Sequence, residues 1–292
     1  MGEIDKNGVD LQLMLRPIWV DNFKWEINAT WGRLLSNKVI ALSQHPDPLN
    51  PASQTVEGLW GTTGPYLVHT EGQEWGQLYG NGIKRINGQP VLDANGFYVN
   101  DSKVYFGNIL PKYTGGVQSR FDILKNFTIN VNIDYQMGGK FFSLSDMFGS
   151  FSGLTARTAE LNDKGNSIRD PVADGGGKHI YGVDATGKPV DFYVNAQDYY
   201  HNNFNNKTFD EYIYDLTFVK LRELSLGYNI PLNRAGLGKW LTRASFSVVA
   251  RNPVLIYAKT KDFDPSEISS LSGEAGNFPG SRGVGVNLKL GF

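Results

Sequence analysis

Seven aromatic residues crowd one stretch of this chain: Tyr181, Phe192, Tyr193, Tyr199, Tyr200, Phe204 and Phe209. They stand among aspartate, asparagine and glutamine. Flat apolar rings with amide and carboxylate neighbours suit the capture of a glycan or a peptide. A sugar's apolar face stacks on a ring while its hydroxyls find polar partners. Tyr181, Phe192, Tyr193, Tyr199 and Tyr200 are therefore the candidate substrate- or partner-binding residues. The plainer alternative is that these rings hold their own segment together or pack against a partner.

Other chemistry is sparse. His45, His69, His179 and His201 lie in loops or at a strand end without ligand spacing, so no metal site is expected. Residues 163–166 (Asp-Lys-Gly-Asn) and 170–174 resemble calcium loops, but they lack the ordered carboxylates and terminal glutamate, and turn chemistry accounts for them. Gly175, Gly176 and Gly177 are not followed by the Lys-Ser/Thr of a phosphate cradle. No serine or carboxylate pair stands in a nucleophile or glycosidase context. No catalytic residue, cofactor or enzyme activity is expected.

The elements that must carry these residues alternate with a period of two. Val284, Val286, Leu288, Leu290 and Phe292 point one way, and Gly283, Gly285, Asn287, Lys289 and Gly291 the other. Phe127, Ile129, Val131, Ile133, Tyr135 and Met137 alternate with Thr128, Asn130, Asn132, Asp134 and Gln136. The same holds for Val9, Leu11, Leu13 and Leu15, and for Phe23, Trp25, Ile27, Ala29 and Trp31. Less regular strands fit 66–71, 75–85, 115–123, 218–228 and 244–257, which makes nine. Short connections (17–22, 72–74, 124–126, 230–239) alternate with long ones (37–65, 86–114, 138–215, 258–281). That rhythm suits an outer-membrane barrel with short periplasmic turns and long extracellular loops. Phe23, Trp25, Phe127, Tyr228 and Phe292 then fall at periplasmic strand ends, with Trp31, Tyr135 and Phe218 roughly 15–25 Å higher, close to two aromatic girdles.

One strand conflicts with this reading. Lys220 and Arg222 share the parity of Leu224, Leu226 and Tyr228 and would face lipid, at about 2–4 kcal/mol each near mid-membrane. A bulge near Glu223, or a strand rising above the bilayer there, removes the conflict. Within the longest loop, 141–161 has the composition of a short helix, and 162–206 reads as irregular.

Bulk properties exclude several classes. With 28 basic and 29 acidic residues the net charge is −1, so no nucleic acid partner is expected. There is no cysteine, which excludes a disulfide framework. No apolar run reaches the ~18 residues of a spanning helix, which leaves barrel strands open.

Residues 218–231 (Phe-Val-Lys-Leu-Arg-Glu-Leu-Ser-Leu-Gly-Tyr-Asn-Ile-Pro), Arg251-Asn252-Pro253 and Asp264-Pro265-Ser266-Glu267 resemble the C-terminal signatures of SusC/RagA-type TonB-dependent outer-membrane transporters. So do 278–282 before the final strand, 71–80 (with Glu74 in place of the usual proline), 107–113 and 135–139. The matches run in order over most of 9–292. The resemblance implies a 22-stranded barrel in the cell outer membrane, energy coupling to the TonB complex, a SusD-like surface lipoprotein as partner, and uptake of a glycan or peptide substrate. It also implies a plug domain and signal peptide, neither of which is visible here, so 1–292 is expected to be the C-terminal portion of the barrel. The expected fold class is all-β, an antiparallel transmembrane β-barrel segment of about nine strands with long extracellular loops. Phe292 takes the place of the family's terminal aromatic, the barrel-assembly signal. The rival readings are an outer-membrane adhesin or passive porin, and a soluble β-sandwich glycan-binding module whose apolar faces pack together.

Overall fold

The computed structural model describes residues 2–42, 53–55, 64–268, 273–278 and 280–292. His45 and Pro279 lie outside the described residues. Seven strands form an antiparallel sheet in chain order: β1 (Glu3–Val20), β2 (Phe23–Ala41), β3 (Tyr113–Ile123), β4 (Phe127–Met137), β5 (Phe218–Asn229), β6 (Arg243–Ala258) and β7 (Gly283–Gly291). Each strand is hydrogen-bonded to its chain neighbours, and among the described residues β1 and β7 are free edges. Among the described residues the sheet is open and does not close into a barrel.

Register turns the period-two pattern of each strand into two opposed surfaces. Leu15, Ile27, Ser119, Val131, Leu224, Ala250 and Val284 lie opposite one another in a single row. The next row reads Met14, Asn28, Gln118, Asn132, Glu223, Arg251 and Gly283. The apolar face is uncovered: Leu11, Leu13, Val286 and Leu288 are all more than half exposed. A β-sandwich would bury that face against a second sheet, so the sandwich reading finds no support. At the hairpin end the rings cluster, with Trp25 on Phe121 at 5.6 Å and Phe127 on Tyr228 at 4.8 Å.

Two of the nine expected strands are not in this sheet. Tyr66–Thr70 and Gln77–Ile83 pair with Ser53–Thr55 and Asn100–Asn108 in a separate four-stranded sheet. The expected long connections 37–65 and 86–114 are therefore parts of one excursion, 42–112. Local alternation cannot tell a wall strand from a loop strand, since both have one buried face. Three excursions (42–112, 138–217 and 259–282) leave the same end of the sheet, opposite the short turns.

These excursions fold together as a cap. The second contains α1 (Leu144–Phe151), opened by Ser143 accepting from the Asp146 N–H. It also contains α2 (Ala196–Asn205), opened by Asn195 accepting from the Gln197 and Asp198 N–H groups. The irregular reading of 162–206 is corrected. That stretch holds the hairpin Lys178–Val183 with Pro189–Val194, followed by α2. Two apolar cores join the excursions. Leu67, Leu78 and Ile109 of the first meet Phe142, Met147, Phe209 and Tyr212 of the second. Leu92 of the first meets Ile168, Ile180, Val194, Tyr199 and Tyr200 of the second. The upper end of β2 is welded to the cap by backbone bonds: Val39 N–H to Gln73, Gly72 N–H to Val39 and Trp75 N–H to Asn37, at 2.7–2.9 Å.

Candidate functional site

A cleft of about 930 Å³ opens on the polar face of the sheet, lined by Arg16, Glu26, Asn28, Gln118, Arg120 and Asn130 among others. Arg16 pairs with Glu26 at 3.1 Å, Gln12 donates to Asn28 at 3.2 Å and Asn130 donates to Ser225 at 3.0 Å. A wall of amides and mutually paired charges can hold polar groups in water. Among the described residues, no three His, Asp or Glu side chains are grouped to hold a metal.

The conflict at Lys220 and Arg222 is resolved by a bulge. Asn132 faces Glu223 but Ile133 faces Leu221, which leaves Arg222 as the extra residue and brings Lys220 opposite Asp134 on the polar face. Lys220 is 2% exposed and donates to Asp264 at 2.7 Å, Ser266 at 2.8 Å and Glu267 at 2.9 Å. A lysine is buried this deeply only when its charge is met. Arg222 donates to Asp134 at 2.8 Å and to Glu267 at 3.1 Å. Burial works against ionisation of Asp264, but the bonds from Lys220 and Ser266 outweigh it and hold its carboxyl below the ordinary range. At Glu267 the Lys220 bond is the main cause of the same downward shift. The third excursion is thus folded back onto the polar face of the sheet. Its far end is tied to the cap, where the buried Glu274 carboxylate accepts from Ser143 and Ser145 at the start of α1. Sequence reasoning treated these residues only as a misplaced pair of cations and a motif. Two cations on an apolar parity, with Asp264 and Glu267 about forty residues on, were the available signal.

The aromatic candidates scatter. Tyr199 and Tyr200 are 1% and 2% exposed in the second cap core, donating to Glu211 and to the Arg157 carbonyl. Burial, with the Glu211 charge, pushes both phenols well up. Their rings form part of the cap's interior. Phe192 packs against the same core. Tyr193 has one face stacked on His179 at 4.5 Å and the other under the Lys164 ammonium at 3.5 Å, and its hydroxyl donates to Asp163 at 2.8 Å. Tyr181 stands exposed, as does Phe292 beyond the end of β7.

His69 stacks on Trp75, and burial lowers its pKa, while His201 stacks on Phe151. The 163–166 segment is a turn whose Lys164 and Asn166 N–H groups bond the Asn162 side-chain oxygen. Asp215 ties the second excursion to the third, accepting from Thr217, Lys140 and Lys259. Burial opposes its ionisation, yet the Thr217 and Lys259 bonds prevail and bring it down to about 2.

No protein-family profile and no curated protein sequence matches the chain. Solved structures do match its fold. The RagAB peptide importer in its closed-closed state superposes with a TM-score of 0.65 at 16% identity, over 99% of this chain and 30% of that one. The open-open state of the same importer gives 0.65 at 15% identity, over 100% and 29%. The RagAB peptide transporter gives 0.61 at 16% identity, over 99% and 29%. The chain spans about 30% of the length of the chains it resembles. At this identity the likeness is one of fold: an all-β antiparallel wall with its loop layer. Among the described residues no helix is long and apolar enough to cross a membrane, which says nothing of crossing by strands.

Proposed function

We propose that the chain supplies part of the wall and extracellular cap of an outer-membrane nutrient importer of the SusC/RagA type. The observation that carries this reading is the seven-strand meander itself. One face is apolar and uncovered, the other is polar, and every long excursion leaves one end. In lipid, the unpaired edges of β1 and β7 need further strands to satisfy their backbone groups. The shared fold with a peptide importer favours short peptides over glycans as cargo. A SusD-like lipoprotein over the cap and energy coupling through TonB follow from the resemblance of the signatures at 218–231, 251–253 and 264–267.

The test is a series of single cysteines along 127–137 in the full-length protein in outer membranes. Odd positions should react with a membrane-confined probe and even positions with an aqueous one. Uniform aqueous labelling would remove the membrane-wall reading.

A further inference from the structure

A second cavity, about 430 Å³, lies where the end of α1 meets the start of α2, and it shares no lining residue with the wall cleft. Its walls include Phe151, Ser152, Arg169, Asn195, Gln197 and His201. Phe151 and His201 both line it and stack on each other at 4.3 Å with their planes 26° apart.

Arg169 is the one arginine or lysine in the lining. Arg169 is fixed by bonds from Nε to the Thr158 carbonyl at 2.7 Å, and from Nη2 to the Gly153 carbonyl at 2.6 Å and the Thr158 hydroxyl at 2.9 Å. Among the described residues its Nη1 has no partner. Asn195 spends its side-chain oxygen on the α2 N–H groups, leaving its NH2 uncommitted, and the Gln197 side chain is likewise uncommitted. The Gly153 and Thr158 carbonyls already accept from Arg169, and the Tyr200 hydroxyl donates to the Arg157 carbonyl. No aspartate or glutamate lines the cavity. Another cavity, of about 650 Å³, has Asp146, Glu160, Glu211 and Asp262 in its walls beside Arg157 and Lys178.

A carboxylate needs donors and an opposite charge, and a guanidinium held in place with no acidic side chain beside it supplies both. We propose that this cavity binds the C-terminal carboxylate of a short peptide, at Arg169, with the last side chain against Phe151 and His201. The volume suits one or two residues, at the small end of ligand sites. This assignment rests on the import reading above and names the end of the cargo that the cap recognises.

The experiment is equilibrium dialysis of the full-length protein, in detergent, against a hexapeptide mixture randomised at every position. The mixture is offered as free acid and as C-terminal amide. The free acid should be retained about tenfold more or better, the scale of a charged hydrogen bond. Arg169→Met should abolish that preference, so that acid and amide are retained equally. Arg169 also braces two carbonyls, so a second variant guards against simple misfolding. Gln197→Trp fills the cavity from an exposed helix position and should remove the same preference. Equal retention of acid and amide by the native protein, or a preference that survives both variants, overturns the carboxylate site alone. Retention of neither form overturns peptide import together with it.

Discussion

Replacing Lys220 with methionine should free the third excursion from the polar wall. Lys220 makes three hydrogen bonds of 2.7–2.9 Å at 2% exposure, two of them to carboxylates. Removing one partner of a buried charge pair costs about 3–5 kcal/mol. Asp264 and Glu267 keep 21% and 34% of their side chains exposed, and Arg222 retains its bond to Glu267. The low end therefore applies, about 3 kcal/mol, or on the order of 100-fold in the population of the released loop. Trypsin reads that population, since Lys259 and Lys261 sit beside the latch and cleavage tracks opening when reclosing is fast. Full-length K220M should be cut there about 100-fold faster than the native protein. Adding Asp264→Asn and Glu267→Gln should recover much of the loss, because no orphaned charge remains. The two carboxyls titrate low in the folded state. Their stabilisation is thus present above the unfolded carboxylate range near pH ~4 and is lost as pH falls through the folded values. Acid should loosen the native loop and leave K220M little changed. A cleavage rate within about threefold of native would refute the latch, being far below the expected factor.

Three further outcomes follow from the same structure. Tyr199→Ala should cost the cap about 3–5 kcal/mol as a buried ring is lost, whereas Tyr199→Phe loses about 1–2 kcal/mol with its bond to Glu211; hydrogen exchange across 138–217 separates them, and equal effects would refute the core assignment. Asp215 holds its pKa at about 2, so its ties to Thr217 and Lys259 should persist from neutral pH downward and loosen only as pH falls toward that value. In Asp215→Asn that acid step should vanish, as read by exchange at the Thr217 and Lys259 amides, and an unchanged step would assign it elsewhere. Deleting Phe292 should lower outer-membrane levels more than any cap substitution, and normal surface levels would remove its role in assembly.

What could be read in the sequence followed from how local the cause was. The wall strands β4 and β7 were legible because alternation at 127–137 and 284–292 is a property of a strand and its two environments. The bulge at Arg222 was legible as one of two remedies, since two cations on an apolar parity demand one. The cap was not legible. Its strands at Tyr66–Thr70 and Gln77–Ile83 alternate as wall strands do, and only pairing with Asn100–Asn108 tells them apart. Tyr199 and Tyr200 have the composition of a binding surface. Their burial depends on Leu92, more than a hundred residues away in another excursion. The cavity at Arg169 joins residues from 150 to 201, and no spacing along the chain announces such a meeting.

On the proposed membrane reading, the first hairpin is far longer than lipid requires. β1 has 18 residues and β2 has 19, against about 9–11 for a membrane strand, and the surplus ends in the weld at 37–39. The ribbon therefore works as a ruler that sets the altitude of the cap, and the ruler is graduated in twos. Removing two residues from each strand lowers the cap by about 7 Å and leaves every ring facing as before. Removing one inverts the outward surface of everything beyond the cut. Relatives with taller or lower caps should differ in this hairpin by even numbers, unless a bulge absorbs the odd residue, as it does at Arg222.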